Sequence, residues 1–222
     1  MTTPDRQRDE ETRRREARSR LGVPSVWEEP HFRHLAGERE ADRPVPAPSR
    51  YRLSAMIIVA LVAVAGAVLA VFGAFFTGGG AWGILLVVVA APAYEEIAKP
   101  LGILLMAEAK SRWVFARWQI VVAAIIGAAA FSAIENLIYI YVYVPEGSAA
   151  FVQWRWTVCM ALHCTASTIT GIGLAREWHH AVVGRRHFQP ERVFPFWAAS
   201  IAVHGAYNGI VTLLALTHVL RF

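Results

Sequence analysis

The sequence predicts an all-α fold, a polytopic transmembrane bundle of about five spans behind a disordered, charged amino-terminal tail. Three observations carry that expectation. Of the 222 residues 55% are hydrophobic, and mean hydropathy is +0.38 although 18% of the chain is charged. The charges are segregated, because residues 1–50 hold 11 of the 22 Lys+Arg and 10 of the 17 Asp+Glu. Beyond them lie five apolar runs, each near the roughly 20 residues that cross a hydrocarbon core. The chain therefore divides into a tail, 1–50, and a membrane domain, 51–222.

The tail is rich in Arg, Glu and Pro and poor in large apolar residues, so it cannot bury enough surface to fold. Within it, Glu10/Arg14 and Glu11/Arg15 are four apart with the acids leading, which suits a short helix. It reads as a solvated cytoplasmic tail that helps to set topology. The first long apolar run begins near Leu53, too far along for a cleaved signal peptide.

The runs are 53–76, 81–107, 118–144, 156–175 and 194–217. Arg50 and Arg52 precede the first, Lys110, Arg112 and Arg117 fill the second gap, and Arg176, Arg185, Arg186 and Arg192 fill the fourth. The gap 77–80 carries no charge and the gap 145–155 a single basic residue, Arg155. The positive-inside rule then gives a cytoplasmic amino terminus and an external carboxyl terminus. That arrangement accounts for the sequence pI near 9.6 without nucleic acid, since basic residues after position 50 sit in gaps. Cys159 and Cys164 are five apart on different helix faces, which excludes a simple disulfide between them.

No gap holds a soluble domain, so any chemistry lies in the spans. Ionisable residues there cost at least about 2.5 kcal/mol at the bilayer centre and mark functional sites by default. The second run carries Glu95, Glu96 and Lys99, the third Glu135 and Asn136, the fourth His163, and the fifth His204 and Asn208. At a rise of about 1.5 Å per residue, all fall in one layer at or just outside the midplane. Glu95/Lys99 and His204/Asn208 are four apart, so each pair shares a helix face. Pro92 and Pro100 bracket the acids, and Pro100 removes the hydrogen bond to the Glu96 carbonyl, which predicts a kink or broken turn. Irregular backbone at that depth needs protein or a wet cavity beside it, so water is expected near the acids.

Several chemistries are excluded. No aspartate follows Asp42, which removes an aspartate pair, and there is neither a His-Glu-x-x-His helix nor a Gly-rich phosphate loop. Ser167 and Cys159 are each four from His163 and Ser200 is four from His204, but serines in membrane helices usually bond to carbonyls. Carboxylates with histidines remain. A glutamate can deprotonate water, a histidine can share the proton, and a His/Asn pair can donate to an oxyanion. Alternatively Glu96, His163 and His204 make a His/His/Glu set with an open position, as at a catalytic zinc. Lys99 reads as counter-ion to Glu95 or Glu96, and one lysine cannot fully neutralise both.

The segments Ala-Tyr-Glu95-Glu96-Ile-Ala-Lys99, Phe131-Ser-Ala-Ile-Glu135-Asn136-Leu-Ile-Tyr139, Ala-Leu-His163 followed by Thr170-Gly171-Ile-Gly173, and His204-Gly-Ala-Tyr-Asn208-Gly209 resemble the four motifs of the PrsW family of intramembrane proteases. They run in order over residues 81–210. The CAAX-processing and bacteriocin-immunity membrane proteases are more distantly similar, since they expect an arginine where this chain has Pro100 and a histidine where it has Glu135.

The resemblance implies an endopeptidase of a bacterial-type cell membrane, glutamate-dependent or metal-dependent, that cuts membrane-anchored proteins; some members release anti-sigma factors. On this chain it implies that Glu95 or Glu96 activates water with His163, that His204 and Asn208 hold the oxyanion, and that Glu135 and Asn136 complete the pocket. Zinc is the metal the metallopeptidase version implies, and the lipid bilayer and an anchored protein substrate are the implied partners. A proton-coupled transporter would also place Glu, Lys and His at midplane, but it predicts internal repeats, and none occurs between the halves. An inactive membrane scaffold is the third alternative.

Overall fold

The structure, a computed structural model, describes residues 49–75, 80–109, 113–184 and 187–217. The tail and its two Glu/Arg pairs lie outside those residues. Among the described residues all regular structure is helical. The helices are α1 (Ser49–Ala70), α2 (Gly80–Leu85), α3 (Ala91–Ala98), α4 (Leu101–Ala109), α5 (Arg117–Ile138), α6 (Ala149–Trp154), α7 (Met160–Gly184) and α8 (Phe194–Leu216). π-Helical turns at Leu86–Ala90, Tyr139–Tyr143 and Arg155–Cys159 join α2 to α3, extend α5, and join α6 to α7.

Four continuous helical stretches are long and apolar enough to cross a membrane: Arg52–Gly73, Arg117–Tyr143, Ala149–Gly184 and Phe194–Leu216. Three correspond closely to expected runs. The fourth expected run, 156–175, is part of a much longer helix, because α6 adds a turn and a half before it and α7 continues to Gly184. Arg155, read from sequence as a charge in a gap, therefore stands inside a spanning helix. Large apolar side chains on α1, among them Leu53, Ile57 and Leu61 at four-residue spacing, point outward, as lipid-facing residues do.

The second expected run, 81–107, is broken into α2, a π-turn, α3 and α4. The break between α3 and α4 falls at Lys99–Pro100, where proline has no N–H to give the Glu96 carbonyl. Lys99 N still bonds to the Glu95 carbonyl at 2.9 Å and Leu104 N to the Pro100 carbonyl at 2.9 Å, so the disruption is confined to one turn. This run packs antiparallel along α1: Gly73 lies against Glu95, Gly66 against the carbonyls of Ala98 and Lys99, and Gly102 against the Val62 carbonyl. Glycine on α1 thus lets the partner's backbone close over the disrupted turn, as irregular backbone in a membrane requires.

α5 and α7 form the most extensive pairing, α1 packs on the other side of α5, and α8 lies in the groove between α7 and the broken run. One apolar core, including Val59, Ile103, Ile120 and Leu174, fills the bundle on one side of the charged layer. A smaller cluster of Ala67, Ala70, Ala98 and Phe131 abuts the charges directly. α8 crosses close to the first π-turn because Gly205 faces the Val88 carbonyl, where a Cβ would come within 2.5 Å.

These close approaches make the glycines unequal. Gly66→Ala and Gly205→Ala each drive a methyl into a backbone carbonyl and are expected to destabilise the fold by about 1–3 kcal/mol. Gly209→Ala meets nothing nearer than 3.6 Å and is expected to be neutral in packing. Thermal unfolding in detergent, followed by tryptophan fluorescence, checks the contrast; equal midpoints for all three variants would contradict it.

Candidate active site

α3 delivers the acids. Glu95 and Glu96 are neighbours and so leave the helix about 100° apart. Glu96 turns into the bundle, fully buried, and is satisfied on both oxygens. Its Oε1 accepts from Lys99 Nζ at 2.5 Å and lies 2.9 Å from His204 Nδ1, and its Oε2 is 2.9 Å from Ser200 Oγ. Ser200 Oγ is also 2.8 Å from the Ala166 carbonyl, so this hydroxyl ties α8 to α7 behind the carboxylate. A carboxylate beside His204 Nδ1 makes that nitrogen the donor, which leaves His204 Nε2 with its lone pair.

That lone pair faces Glu95. His204 Nε2 and Glu95 Oε2 are 3.8 Å apart, and Glu95 Oε2 is buried with no hydrogen-bond partner. A carboxyl oxygen and an imidazole nitrogen that face one another at this distance form an arrangement that can accept a cation or a water. Gly73 makes room for the Glu95 side chain, since a Cβ there would come 2.5 Å from its Cγ.

The second histidine arrives from α7. The His163 and His204 rings meet edge to face, with centroids 4.8 Å apart, and Phe131 of α5 packs against the other side of His163, also at 4.8 Å. His163 Nε2 is 3.1 Å from Glu135 Oε2 and its Nδ1 is 3.4 Å from Lys99 Nζ. An ammonium has no acceptor capacity, so Nδ1 accepts there and the ring proton sits on Nε2, given to Glu135. Lys99 also lies 4.7 Å above the Phe131 ring. Glu95, His163 and His204 each offer a ligand atom, and these atoms lie within 4.8 Å of one another. A carboxylate and two imidazoles, all buried, with one carboxylate oxygen unpartnered, form a donor set suited to zinc.

The remaining site residues separate into two groups. Glu135 joins the cluster, but its Oε2 is also 2.6 Å from Arg155 Nη2. Asn136 and Asn208 serve backbone: Asn136 Nδ2 donates to the Arg155 carbonyl at 2.9 Å, and Asn208 Nδ2 to the Val87 carbonyl of the first π-turn at 3.0 Å. Sequence reasoning offered Glu96 with His163 and His204 as the alternative metal set; the group whose ligand atoms lie within 4.8 Å of one another is Glu95, His163 and His204, while Glu96 Oε1 lies 2.9 Å from His204 Nδ1. Arg155 and the supporting role of Ser200 were not read from the sequence. Starting the fourth span at Ala149 would have exposed Arg155 as an intramembrane charge; nothing in the spacing indicates which acid Ser200 meets.

Lys99 is the hinge of the electrostatics, being 2% exposed and in contact with Glu96, His163 and Phe131. Lys99→Met leaves Glu96 buried without its cation and is expected to cost about 3–5 kcal/mol, while Lys99→Met with Glu96→Gln recovers most of it. Unfolding in detergent, arranged as a double-mutant cycle, reads the difference. Additive losses would show that the pair is not coupled.

Comparison with known families places one match on this chain: the model described as PrsW family intramembrane metalloprotease covers residues 47–222. No curated protein and no solved structure matches.

Proposed function

The chain belongs to the PrsW family of intramembrane metalloproteases and is an integral membrane peptidase, and from that premise we propose that it hydrolyses a peptide bond of a membrane-anchored protein with water activated at Glu95. The observation that supports this reading is the buried, unpartnered Glu95 Oε2 facing His204 Nε2. Glu95, His163 and His204 would hold a divalent metal, zinc being the best fit to the donor types. When bound, zinc lowers the pKa of its water towards 7 and polarises the scissile carbonyl.

The protein's own contribution is orientation. Glu96, anchored by Lys99 and Ser200, holds the Nδ1 proton of His204 and so aims Nε2 at Glu95. His163 gives one nitrogen to the site while the other keeps its partner, Glu135 or Lys99. Phe131 walls the site with hydrocarbon, which strengthens each electrostatic contact inside. Asn208 keeps one amide hydrogen free after its bond to Val87, and that hydrogen is the available donor for a carbonyl oxygen on the α8 side.

A glutamic version draws on the same observation. If water binds Glu95 directly, Oε2 accepts its proton and Asn208 donates to the tetrahedral oxyanion; His204 joins it only as the doubly protonated imidazolium, because neutral Nε2 is an acceptor. The basic residues of the second and fourth gaps orient the chain with a cytoplasmic amino terminus and an external carboxyl terminus. The resemblance to the family makes membrane-anchored proteins, anti-sigma factors among them, the proposed substrates.

The full chain, reconstituted in liposomes with single-span substrates, tests both versions. Glu95→Gln is expected to lower kcat/KM by about three orders of magnitude, and His163→Ala and His204→Ala to do the same. A chelator should abolish wild-type cleavage and added zinc restore it; cleavage indifferent to chelation selects the glutamic version. Wild-type rates in Glu95→Gln would sink both, and proton flux without cleavage would point to a transporter.

A further inference from the structure

Among the described residues, Arg155 is a fixed cation of the charged layer for which the proposed reaction has no task. It is 8% exposed, stands on the π-turn Arg155–Cys159, and directs its guanidinium at Glu135, with Nη2 2.6 Å from Oε2. The Tyr139 ring lies beneath it, 4.0 Å from the guanidinium carbon, and the Arg155 carbonyl is held by Asn136. The same Glu135 oxygen is 3.1 Å from His163 Nε2. One carboxylate oxygen therefore joins a buried guanidinium to a buried imidazole.

The π-turn makes this contact geometrically feasible. Arg155 and His163 are eight residues apart, which in a regular α-helix separates their directions by about 80°. A π-turn takes up one additional residue, so the effective spacing becomes seven and the separation falls to about 20°. Both side chains then share the face that α5 presents Glu135 to. Asn136, next to Glu135, binds the backbone of the same turn, so α5 grips the irregularity by backbone and by side chain at once.

We propose that Arg155 is a positioning residue for the peptidase reaction: it holds Glu135 so that Glu135 keeps the His163 ring proton on Nε2 and leaves Nδ1 as the basic nitrogen. Arg155 does not touch the reacting atoms. The contact is a single Nη2–Oε2 bond, and the planar guanidinium stacked over the Tyr139 ring fixes its direction, which a point charge cannot do. The kinetic part of this inference rests on the peptidase reading; the tautomer part does not.

The test uses the full chain in nanodiscs, with substrate cleavage and the 15N spectrum of histidine-labelled protein measured on the same samples. The His163 signals are identified by their loss in His163→Ala. Arg155→Gln is expected to lower kcat at least tenfold with KM within twofold, and to move the His163 ring signals in the same direction as Glu135→Gln. Arg155→Lys, which keeps the charge and loses the planar guanidinium, should show about a threefold loss and a smaller shift in that direction. It carries the test alone if Arg155→Gln does not accumulate folded. Unmoved His163 signals in the folded Arg155 variants overturn the inference, as does a wild-type kcat in them. Wild-type protein that cleaves nothing refutes the peptidase reading, while the ring signals still decide whether Arg155 sets the tautomer.

Discussion

The constraint on which the rest of the structure depends is charge balance in a layer that water does not reach freely. Glu95, Glu96 and Glu135 are all at most 6% exposed, and the fixed cations beside them are Lys99 and Arg155. Lys99 neutralises Glu96 and Arg155 neutralises Glu135. Glu95 has neither, and its Oε2 is buried with no hydrogen-bond partner among the described residues. Buried ions are tolerated when paired and are costly when alone, so the surplus acid is the position that demands something from outside the chain. At that point stands the buried group of Glu95, His163 and His204, a donor set that can hold a metal, in a chain whose family is described as metalloproteases.

The balance is achieved through departures from regular helix. Lys99 closes α3 just before Pro100 and reaches back three residues to Glu96, as i,i+3 side chains on one helix face do. A π-turn precedes α3 and offers the Val87 carbonyl to Asn208 and the Val88 carbonyl to the bare face of Gly205. Another carries Arg155 to Glu135. Each irregularity is covered by a glycine contact, an asparagine or a charged partner, which is the condition for unpaired backbone at membrane depth.

Much of this was legible in the sequence because membrane spans make polar residues conspicuous. Glu95, Glu96, Lys99, Glu135, His163 and His204 were singled out by being ionisable in apolar runs, and they lie in one cluster. The interrupted second run followed from Pro100. Pairings across helices were not legible, since depth estimates from rise per residue cannot choose between adjacent acids that leave the helix 100° apart. Hence Glu96 was offered with the histidines as the alternative metal set, where Glu95 has the unpartnered oxygen. Arg155 escaped because the span was begun at residue 156 while the helix starts at Ala149, and because a spacing of eight to His163 does not announce a shared face unless a π-turn is assumed.

The two histidines are supported alike, yet their supports differ in robustness. His204 leans on Glu96, and Glu96 on Lys99, a cation three residues along the same short segment, so that chain of contacts is largely set by local backbone. His163 leans on Glu135 of α5, and Glu135 on Arg155, twenty residues further on, across the α5–α7 interface. Any sliding of α5 against α7 stretches the second chain and leaves the first intact. The geometry of His163, rather than that of His204, is then the part of the site that depends on how α5 and α7 are packed.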